Sequence, residues 1–359
     1  MLKRSSVALA ATAAAAALLL AACSSSSSSS SAAAAKPAKA TKACVILPDS
    51  ASSPRWEQGD RPALTAALTA GGFTSDIQNA QGDTAKFGTI ADQQLAGGCG
   101  VMILADLQGA GIQVAAKAKA QGIPVIAYDR PLAGADYYVS FDNVKVGGME
   151  GQMVLDGLKA MGKNPATARV VFVGGDPADG NAKMFRDGAV AVMAAGGITK
   201  AAGETQGVWD GAKATTYFEQ VFTKLKGKID AVWVANDTNA AGVITILDKN
   251  HMKIPVSGQD ASLAGLQNVL LGKQTGTVYK PFKLEADAAA ALAIAILKGQ
   301  TPTVNSKLAD GTPFQALTPI SVSAANVKDV VSSGAAGVPT AADICKGAVA
   351  AACIKYGVK

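Results

Sequence analysis

The sequence has few of the residue types on which most catalytic and metal-binding sites depend. His251 is the only histidine in 359 residues, aromatic residues make up 5% of the chain, and the five cysteines form no C-x-x-C pair. Zinc sites are usually built from such cysteine pairs and histidines, so we expect no metal site. There is no G-x-G-x-x-G after the first predicted strand and no G-x-S-x-G, which argues against a dehydrogenase or a serine hydrolase. We therefore expect neither a catalytic residue nor a cofactor.

The charge balance argues against a nucleic-acid partner, and the apolar runs argue against a membrane-spanning helix. Lys and Arg total 33 against 27 for Asp and Glu, and the excess is not gathered into long basic runs. Nucleic-acid-binding proteins carry clustered basic residues, so we expect no nucleic acid as partner. The apolar stretch at 7–20 is too short and too rich in alanine for a spanning helix. What is left is a chain that is 49% apolar and long enough for two domains.

The N-terminus has the order of a bacterial export signal. Two basic residues precede the apolar stretch, and LAAC at 20–23 follows as a cleavage site. This ending resembles the bacterial lipoprotein signal, in which the cysteine is lipidated. We therefore expect residues 1–22 to be a signal peptide and Cys23 to anchor an exported protein to the outer face of the cytoplasmic membrane. The alternative is an ordinary signal with an incidental cysteine. Residues 23–42, rich in Ser, Ala, Lys and Pro, are expected to be a flexible tether.

The four other cysteines are even in number, which in an exported protein suggests two disulfides. Cys44 begins the first predicted strand and Cys99 precedes another, so neighbouring parallel strands could bring the two together. Cys345 and Cys353 lie eight residues apart and would staple the C-terminal segment. The alternative for each pair is two free, buried thiols.

Beyond residue 42, short apolar runs alternate with segments of helical periodicity, which indicates parallel sheets with right-handed crossovers. The predicted strands are 44–48, 73–78, 101–104, 125–128, 137–141, 169–173, 198–204, 231–235, 255–258, 277–279 and 318–322. The predicted helices are 61–70, 84–96, 112–120, 144–161, 182–195, 212–225, 240–250, 263–271 and 282–297. The alternation restarts after residue 161, so we predict two α/β units, each with its own sheet, and an irregular tail to Lys359.

Polar side chains and two tryptophans follow the predicted strands, where parallel sheets bind ligands. They are Arg55, Trp56, Asp129, Arg130, Asp142, Asn143, residues 176–181, Trp209, Asn236, Asp237, Asp260 and Lys280. Asp, Asn and Arg can each pair with two sugar hydroxyls, which both donate and accept hydrogen bonds. Aromatic rings pack against the apolar C–H faces of a sugar. The set therefore predicts a sugar-binding cleft.

Most members of this set also have a purely structural interpretation. Asp142, Asn143 and Asp237 could cap the helices that follow them. The two tryptophans could be ordinary, partly buried aromatics, residues 176–180 a simple turn, and Lys280 a surface residue. Arg130 is the hardest to explain in this way, because an arginine at the end of a buried strand needs partners.

In these segments the chain resembles periplasmic binding proteins of the ribose/galactose type, and within them the D-xylose-binding branch and its multiple-sugar relatives. The matching segments are RW at 55–56, IAYDR at 126–130, YVSFDN at 138–143 with VG at 146–147, GGDP at 174–177 with NAK at 181–183, AND at 235–237, SGQD at 257–260 with LAG at 263–265, and TVYKP at 277–281. The resemblance runs from residue 43 to 330. The Ser-rich loop at 49–55 departs from the pattern, and the tail at 335–359 lies beyond it.

The resemblance implies a type I periplasmic binding protein fold, with two doubly wound parallel-sheet lobes joined by a three-crossing hinge. The first lobe would comprise 43–141 plus 282–318, and the second 142–281 plus 319–359, with crossings near Asp142, Pro281 and Pro319. By the same resemblance, Trp56 and Trp209 would sandwich the sugar ring. The residues expected on the sugar hydroxyls are Arg55, Asp129, Arg130, Asn181, Asn236, Asp260 and Lys280.

The function expected from this resemblance is capture of a monosaccharide, xylose or a related aldopentose or aldohexose. A monomer would deliver the sugar to an ABC permease and its ATPase by hinge closure, without covalent chemistry. A sensory co-receptor that uses the same closure is the main alternative. A glycosidase with Asp129 and Asp260 as its carboxylate pair is less favoured, because basic or aromatic neighbours suit those residues to binding. A sugar-responsive repressor is disfavoured by the export signal.

Overall fold

The computed structural model describes residues 41–335 and 337–359. The predicted signal peptide, Cys23 and nearly all of the tether lie outside the described residues. The first strand already begins at Lys42, which the sequence assigned to the tether. No helix in the described ranges combines the length and the apolar character needed to cross a bilayer.

Twelve strands are present among the described residues. They are β1 Lys42–Leu47, β2 Thr74–Asn79, β3 Val101–Leu104, β4 Val125–Tyr128, β5 Tyr137–Phe141, β6 Val170–Val173, β7 Gly203–Glu204, β8 Ala231–Val234, β9 Thr277–Tyr279, β10 Ser306–Lys307, β11 Pro313–Leu317 and β12 Ile320–Val322. Their buried members are mainly Val, Ile, Leu and Ala, as parallel strands covered on both faces require.

The helices of the described ranges alternate with the strands along much of the chain, but the last three follow one another. They are α1 Arg61–Ala70, α2 Thr84–Ala96, α3 Ala110–Ala120, α4 Asn143–Ala160, α5 Gly180–Ala195, α6 Gly211–Lys224, α7 Asp237–Lys249, α8 Leu263–Leu270, α9 Phe282–Leu297, α10 Val327–Ser332, α11 Ala341–Ile344 and α12 Ala350–Tyr356. A short π-helical turn, Trp56–Asp60, precedes α1. Side-chain caps start seven of these helices: Asp83, Asp142, Asp179, Asp210, Asn236, Ser262 and Thr340.

A seven-stranded sheet, in the order β10-β11-β5-β4-β3-β1-β2, forms the centre of the first lobe. All its pairings are parallel except that of β10 with β11. Alternate residues of its strands point to opposite faces, so α1 and α9 pack on one face and α2 and α3 on the other. This is a doubly wound arrangement, and it is the fold class expected from the sequence.

The second lobe is built around a parallel three-stranded sheet in the order β7-β6-β8. Helices α4 and α5 cover one face, and α6 and α7 cover the other. An antiparallel pair, β9 with β12, and helix α8 form a further cluster together with the C-terminal helices.

The chain passes between the two lobes at three places. It leaves β5 at Phe141 and enters α4 of the second lobe at Asn143. It returns after Tyr279 into α9, which packs on the first sheet. It leaves β11 at Leu317 and pairs again as β12 with β9.

Two disulfides are present, Cys44–Cys99 and Cys345–Cys353, as the sequence suggested. The first joins β1 to the turn before its parallel neighbour β3, and the second joins the C-terminal end of α11 to α12.

The secondary structure differs from the sequence-based expectation in several details, beginning with β10 and β11, which were not predicted. The strand predicted at 198–204 shrinks to two residues, and the one at 255–258 to a single bridge between Val232 and Val256. The predicted irregular tail instead contains α10, α11 and α12, whose apolar residues pack on α8. Periodicity is a weak signal in such short segments, so tertiary packing decides their conformation.

Helices α4 and α5 cross closely because glycines face each other at the contact. A Cβ added at Gly147 would lie 1.9 Å from the carbonyl oxygen of Phe185, and one at Gly188 would lie 2.0 Å from that of Val144. At Gly148, one residue along α4, an added Cβ would lie 3.4 Å from Val192 and 3.9 Å from the carbonyl oxygen of Gly188, which are ordinary contact distances. The crossing therefore depends on the missing side chain at Gly147 and Gly188, but not at Gly148.

We expect Gly147→Ala to destabilise the protein and Gly148→Ala to leave it unchanged or slightly more stable. The first change forces the two backbones apart, at a cost of about 1–3 kcal/mol. The second adds helix propensity, worth about 0.5–1 kcal/mol, without a clash. Urea denaturation of both variants measures the difference. Equal stability of the two would contradict the close crossing.

Candidate ligand-binding cleft

A narrow cleft, whose empty space of about 340 Å³ includes the part open to solvent, lies between the carboxyl ends of the strands of the two lobes. The residues that line it are Ser52, Ser53, Arg55, Trp56, Asp129, Arg130, Asp179, Asn181, Phe185, Trp209, Asn236, Gln259, Asp260 and Lys280. Charged, amide and aromatic side chains dominate, so the cleft can hydrogen-bond a polar ligand on several sides.

The structure brings all nine residues predicted to contact a ligand to the wall of this one cleft. Five others share the wall: Ser52, Ser53, Asp179, Phe185 and Gln259. The serines belong to the loop whose contribution the sequence left in doubt, and Asp179 lies within the polar stretch at 176–181. Phe185 follows Asn181 by four residues on α5, so helical spacing could have identified it.

Asp129 occupies a sharp corner at the end of β4. Its φ of 62° is in the left-handed region, which is uncommon for a residue other than glycine. Three side chains donate to its backbone carbonyl and hold the corner: Tyr138 and Ser140 of β5 and Asn181 of α5, each at 2.8 Å. Residues held in such conformations cluster at functional sites.

Arg55 and Trp56 form one side of the cleft. Arg55 donates through Nη1 to Asp129 at 2.8 Å, and its other nitrogens donate to Asp60 and Glu285. The guanidinium carbons of Arg55 and Arg130 lie 4.7 Å and 5.5 Å from the centre of the Trp56 ring. Trp56 is 3% exposed, and its indole N–H donates to Ser52.

The guanidinium group of Arg130 makes hydrogen bonds through Nη1 and Nη2 but not through Nε. Its Nη1 donates to the carbonyl of Asp106 at 2.8 Å and its Nη2 to Ser52 at 3.3 Å. Its Nε lies 3.2 Å from Asp179, an ion-pair distance, yet the angle does not make a hydrogen bond, so this N–H has no partner among the described residues. The side-chain oxygen of Gln259, also on the cleft wall, is likewise unpaired. Buried polar groups normally have partners, so these two atoms suit a ligand that both accepts and donates.

Asp179 and Trp209 support each other in the second lobe. Asp179 accepts from the indole N–H of Trp209 at 3.0 Å and also caps α5. The Trp209 ring packs edge-on against Phe185, with ring centres 6.3 Å apart. A Cβ at Gly175 would overlap this ring, so the glycine leaves room for it. Trp209 is half-buried, and its position on the cleft wall is therefore firmly held.

Asp260 and Lys280 form a buried ion pair at the base of the second lobe, with Nζ and Oδ1 3.2 Å apart. Asp260 has a φ of 96°, the second left-handed aspartate of the cleft. Beneath it, Asp237 accepts from Gln274 and Thr277 at 2.9 Å and from the backbone N–H of Ser262. Asp237 therefore joins the two loops that carry Asp260 and Lys280, without lining the cleft.

The wall carries three cations and three carboxylates, so its formal charge is zero. Burial by itself would raise the pKa of Asp129, but the charges of Arg55, Lys280 and Arg130 lower it below the ordinary value. Burial by itself would lower the pKa of Lys280, but Asp260 and Asp129 raise it. Burial raises the pKa of Asp179, although Arg130 opposes the shift. Asp129 and Lys280 are therefore fully charged at neutral pH.

Several contacts join the lobes directly across the cleft. Asn181 donates to the carbonyl and, at 3.2 Å, to the carboxylate of Asp129. Asn236 donates to the carbonyl of Ser52 at 3.4 Å. With the ion pair of Arg130 and Asp179, these contacts hold the lobes together in a closed arrangement.

Other polar residues at strand ends have structural roles. Asp142 caps α4, as its alternative interpretation proposed. Asn143 donates to Asn181 at 2.9 Å and supports that cleft residue without lining the wall. His251 is exposed at the C-terminal end of α7. Within the described ranges, no group of His, Cys, Asp and Glu is suited to hold a metal ion.

The family profile described as a periplasmic binding protein domain matches residues 44–301. The chain is 34% identical over 289 residues to the D-xylose-binding periplasmic protein of Escherichia coli, strain K12. That match covers 77% of this chain and 85% of the relative. It is 32% identical to a multiple sugar-binding periplasmic protein of Azospirillum brasilense, over 79% of this chain and 86% of the relative.

Solved structures of solute-binding proteins share the fold. An ABC transporter solute-binding protein of Clostridium phytofermentans with bound β-D-glucose superposes with a TM-score of 0.75 at 27% identity. The match covers 84% of this chain and 99% of that protein. A carbohydrate transporter solute-binding protein of Chloroflexus aurantiacus in complex with D-glucose gives 0.71 at 25% identity, over 84% and 97% of the two chains.

We expect Asp237→Asn to flatten the pH dependence of folding stability. Burial raises the pKa of Asp237 to about 7, partly offset by the hydrogen bond from Gln274. The folded protein therefore binds this proton more tightly than the unfolded chain does. Its stabilising effect is complete below the ordinary pKa and is lost as the pH rises through about 7. Asparagine cannot ionise, so the variant should lose less melting temperature than the wild type between pH 5.5 and 8.0.

Asp248→Asn is the matched control, because Asp248 is an exposed carboxylate that pairs with Lys273 at the surface. It should keep the wild-type pH dependence. If the melting temperatures of Asp237→Asn and the wild type fell by the same amount between pH 5.5 and 8.0, Asp237 would not titrate in this range.

Proposed function

This chain belongs to the periplasmic binding protein family, in its sugar-binding branch, and we propose that its cleft binds one monosaccharide in the pyranose form. Xylose, or a related aldopentose or aldohexose, is the ligand we propose. The protein is a sugar-binding receptor of the ABC-transporter type, and it would deliver the sugar to an ABC permease and its ATPase.

The observation that carries this proposal is the convergence of fork-shaped and amide side chains from both lobes on one small cleft. A sugar hydroxyl can accept from the unpaired Nε of Arg130 and donate to the unpaired oxygen of Gln259. Leaving such groups unpaired costs about 1–3 kcal/mol each. A ligand that carries several hydroxyls therefore satisfies the wall better than an apolar one.

The charge of the wall supports a neutral ligand. Each of the three cations has a carboxylate partner within the cleft or beside it: Arg55 with Asp129, Arg130 with Asp179, and Lys280 with Asp260. A uronic acid or a sugar phosphate would leave one buried negative charge without a partner, which is costly. Neutral sugars avoid this cost.

We assign the hydroxyl contacts to Asp129, Arg130, Asn181, Asn236, Asp260 and Lys280, and the ring contacts to Trp56 and Trp209. Of the two, Trp209 is better placed to stack on the sugar ring, because Arg55 and Arg130 already lie over the Trp56 ring. Arg55 has most of its donors engaged by carboxylates, so its direct contribution would be a single N–H.

Hinge closure is the mechanism we propose for capture and delivery. We place the lobe boundaries at 141/142, 281/282 and 318/319, which lie between β5 and α4, between β9 and α9 and between β11 and β12. A ligand that pairs with Asp129 on one side and Asp260 on the other would stabilise the closed state. The permease would then distinguish closed from open protein. Capture and release need no covalent step.

We further propose that Cys23 is the membrane anchor and that the residues before the first strand are a tether. A lipid on Cys23 would keep the protein at the outer face of the cytoplasmic membrane, and residues 23–41 would allow one monomer to reach the permease. A sensory role through a membrane kinase or chemoreceptor uses the same closure. Loss of sugar uptake in a deletion strain, against loss of a sugar response with normal uptake, separates the two roles.

We expect neutral pyranoses to raise the melting temperature and charged sugars to leave it unchanged. A panel of xylose, glucose, galactose, arabinose and ribose, with glucuronate as the charged control, tests this by thermal shift. A ligand at 100 times its Kd stabilises the folded state by about 2.7 kcal/mol. A response to none of the five neutral sugars would count against the sugar site as a whole.

We expect Arg130→Ala to reduce affinity about 30-fold or more and Trp209→Ala by about tenfold. Removing one partner of a buried, charged hydrogen bond costs 2–5 kcal/mol, whereas an aromatic contact is worth about 0.5–1.5 kcal/mol beyond its burial. Calorimetric titration with the best sugar of the panel gives both values. Arg186→Ala is the control, since Arg186 pairs with Glu204 outside the cleft. Wild-type affinity in Arg130→Ala would remove that residue from the site.

A further inference from the structure

Arg55 is enclosed by three carboxyl groups behind the cleft wall. Its Nε and Nη2 donate to the two oxygens of Asp60 at 2.8 and 2.7 Å, and Nη2 also donates to Glu285 at 2.6 Å. Its Nη1 donates to Asp129 at 2.8 Å. Asp60 and Glu285 are completely buried and do not line the cleft. The contact with Asp129 is therefore one of four bonds that fix the guanidinium.

These four bonds leave Arg55 little capacity for a ligand. A guanidinium has five N–H groups, and the single unused one is on Nη1. The Nε of Arg130, a residue of the cleft wall, by contrast makes no hydrogen bond among the described residues, although it lies 3.2 Å from Asp179. The geometry therefore suits Arg55 to holding Asp129, and Arg130 to contacting the ligand.

Glu285 connects the hydrogen bonds around Arg55 to the segment in which the chain returns from the second lobe to the first. It lies in the first turn of α9, five residues after Lys280, which is itself on the cleft wall. The Phe282 ring fixes the start of this helix against Gly59, where an added Cβ would come within 2.1 Å of the ring. The same ring lies 5.6 Å from the guanidinium carbon of Arg55. Glu285 and Arg55 are thus held in register by packing as well as by charge.

The charges of the cluster do not balance if Glu285 is ionised. Asp60 and Asp129 already outnumber Arg55, and the second oxygen of Glu285 has no hydrogen-bond partner among the described residues. The other groups near Glu285 are Tyr128, Tyr138 and Lys280. Burial raises the pKa of Glu285 to about 8, although Arg55 opposes the shift. When Glu285 carries a proton at neutral pH, the positive charge of Arg55 is paired with the negative charges of the two aspartates alone.

We propose that Glu285 is a positioning residue of the sugar site, which holds the Arg55 guanidinium so that Asp129 presents its carboxylate to the ligand. This inference rests on the proposed function. The neutral form of Glu285 leaves Arg55 directed at Asp129, whereas the ionised form competes with Asp129 for the guanidinium. The neutral form is therefore the one competent to bind, and sugar affinity falls as the pH rises through about 8.

The test is calorimetric titration at pH 6.5, 7.5 and 9.0, with the best neutral sugar of the panel, on the wild type and three variants. Glu285→Gln cannot ionise and keeps the acceptor for Arg55, so it should match wild-type affinity at pH 6.5 and lack the loss at pH 9.0. Glu285→Leu removes the acceptor and should weaken binding about tenfold at every pH, the scale of one hydrogen bond to a charged group. Glu57→Gln is the control, because Glu57 pairs with Arg61 outside this cluster and should keep the wild-type profile.

The outcomes separate this inference from the proposed function. Melting curves without sugar establish that each variant is folded, and Glu285→Gln carries the test if Glu285→Leu does not fold. A wild-type pH profile in Glu285→Gln, or wild-type affinity in folded Glu285→Leu, would overturn the positioning role while sugar binding stands. Failure of the wild type to bind any sugar of the panel would overturn the proposed function and this inference with it.

Discussion

The rest of the structure depends on pairing charges that have been withdrawn from water at the cleft. Removing a carboxylate or a guanidinium from water costs several kcal/mol, and only close partners of opposite charge offset that cost. Arg55 meets three carboxyl groups, Arg130 meets Asp179, and Lys280 meets Asp260. Pairs of this kind need partners from several strand ends at once. The left-handed corners at Asp129 and Asp260 deliver them, because an extended backbone would point these side chains elsewhere.

This pairing also connects ligand binding to the arrangement of the lobes. Asp129 belongs to the first lobe but accepts from Asn181 of the second, and Arg130 faces Asp179 across the cleft. Separating the lobes would expose these groups to water, where each is easily satisfied. Under the proposed function, a ligand with many hydroxyls would replace part of that water on closure. Such a ligand would then add to the direct contacts that favour the closed state.

The sequence anticipated much of the cleft but not its supporting layer. Asp129, Arg130, Asp260 and Lys280 follow recognisable strands, so topology alone places them at the carboxyl ends. Asp60 and Glu285 sit within helical turns, where a carboxylate normally faces solvent, and no local pattern marks them as buried. Their role arises only because the π-helical turn and α9 pack against each other around Arg55. The short helices of the tail were not predicted for a related reason. They are stabilised by packing on α8, and helices of this length are not stable by themselves.

The sequence by itself determined the alternation of strands and helices, the division into two α/β units and the residue types offered at the strand ends. These follow from periodicity, capping and chain order, which are local properties. Only the tertiary structure decided which charges face each other, which buried N–H groups lack a hydrogen-bond partner, and which carboxyl groups have a raised pKa. Burial and electrostatic pairing set those properties, and both depend on residues as far apart in the chain as Arg55 and Glu285.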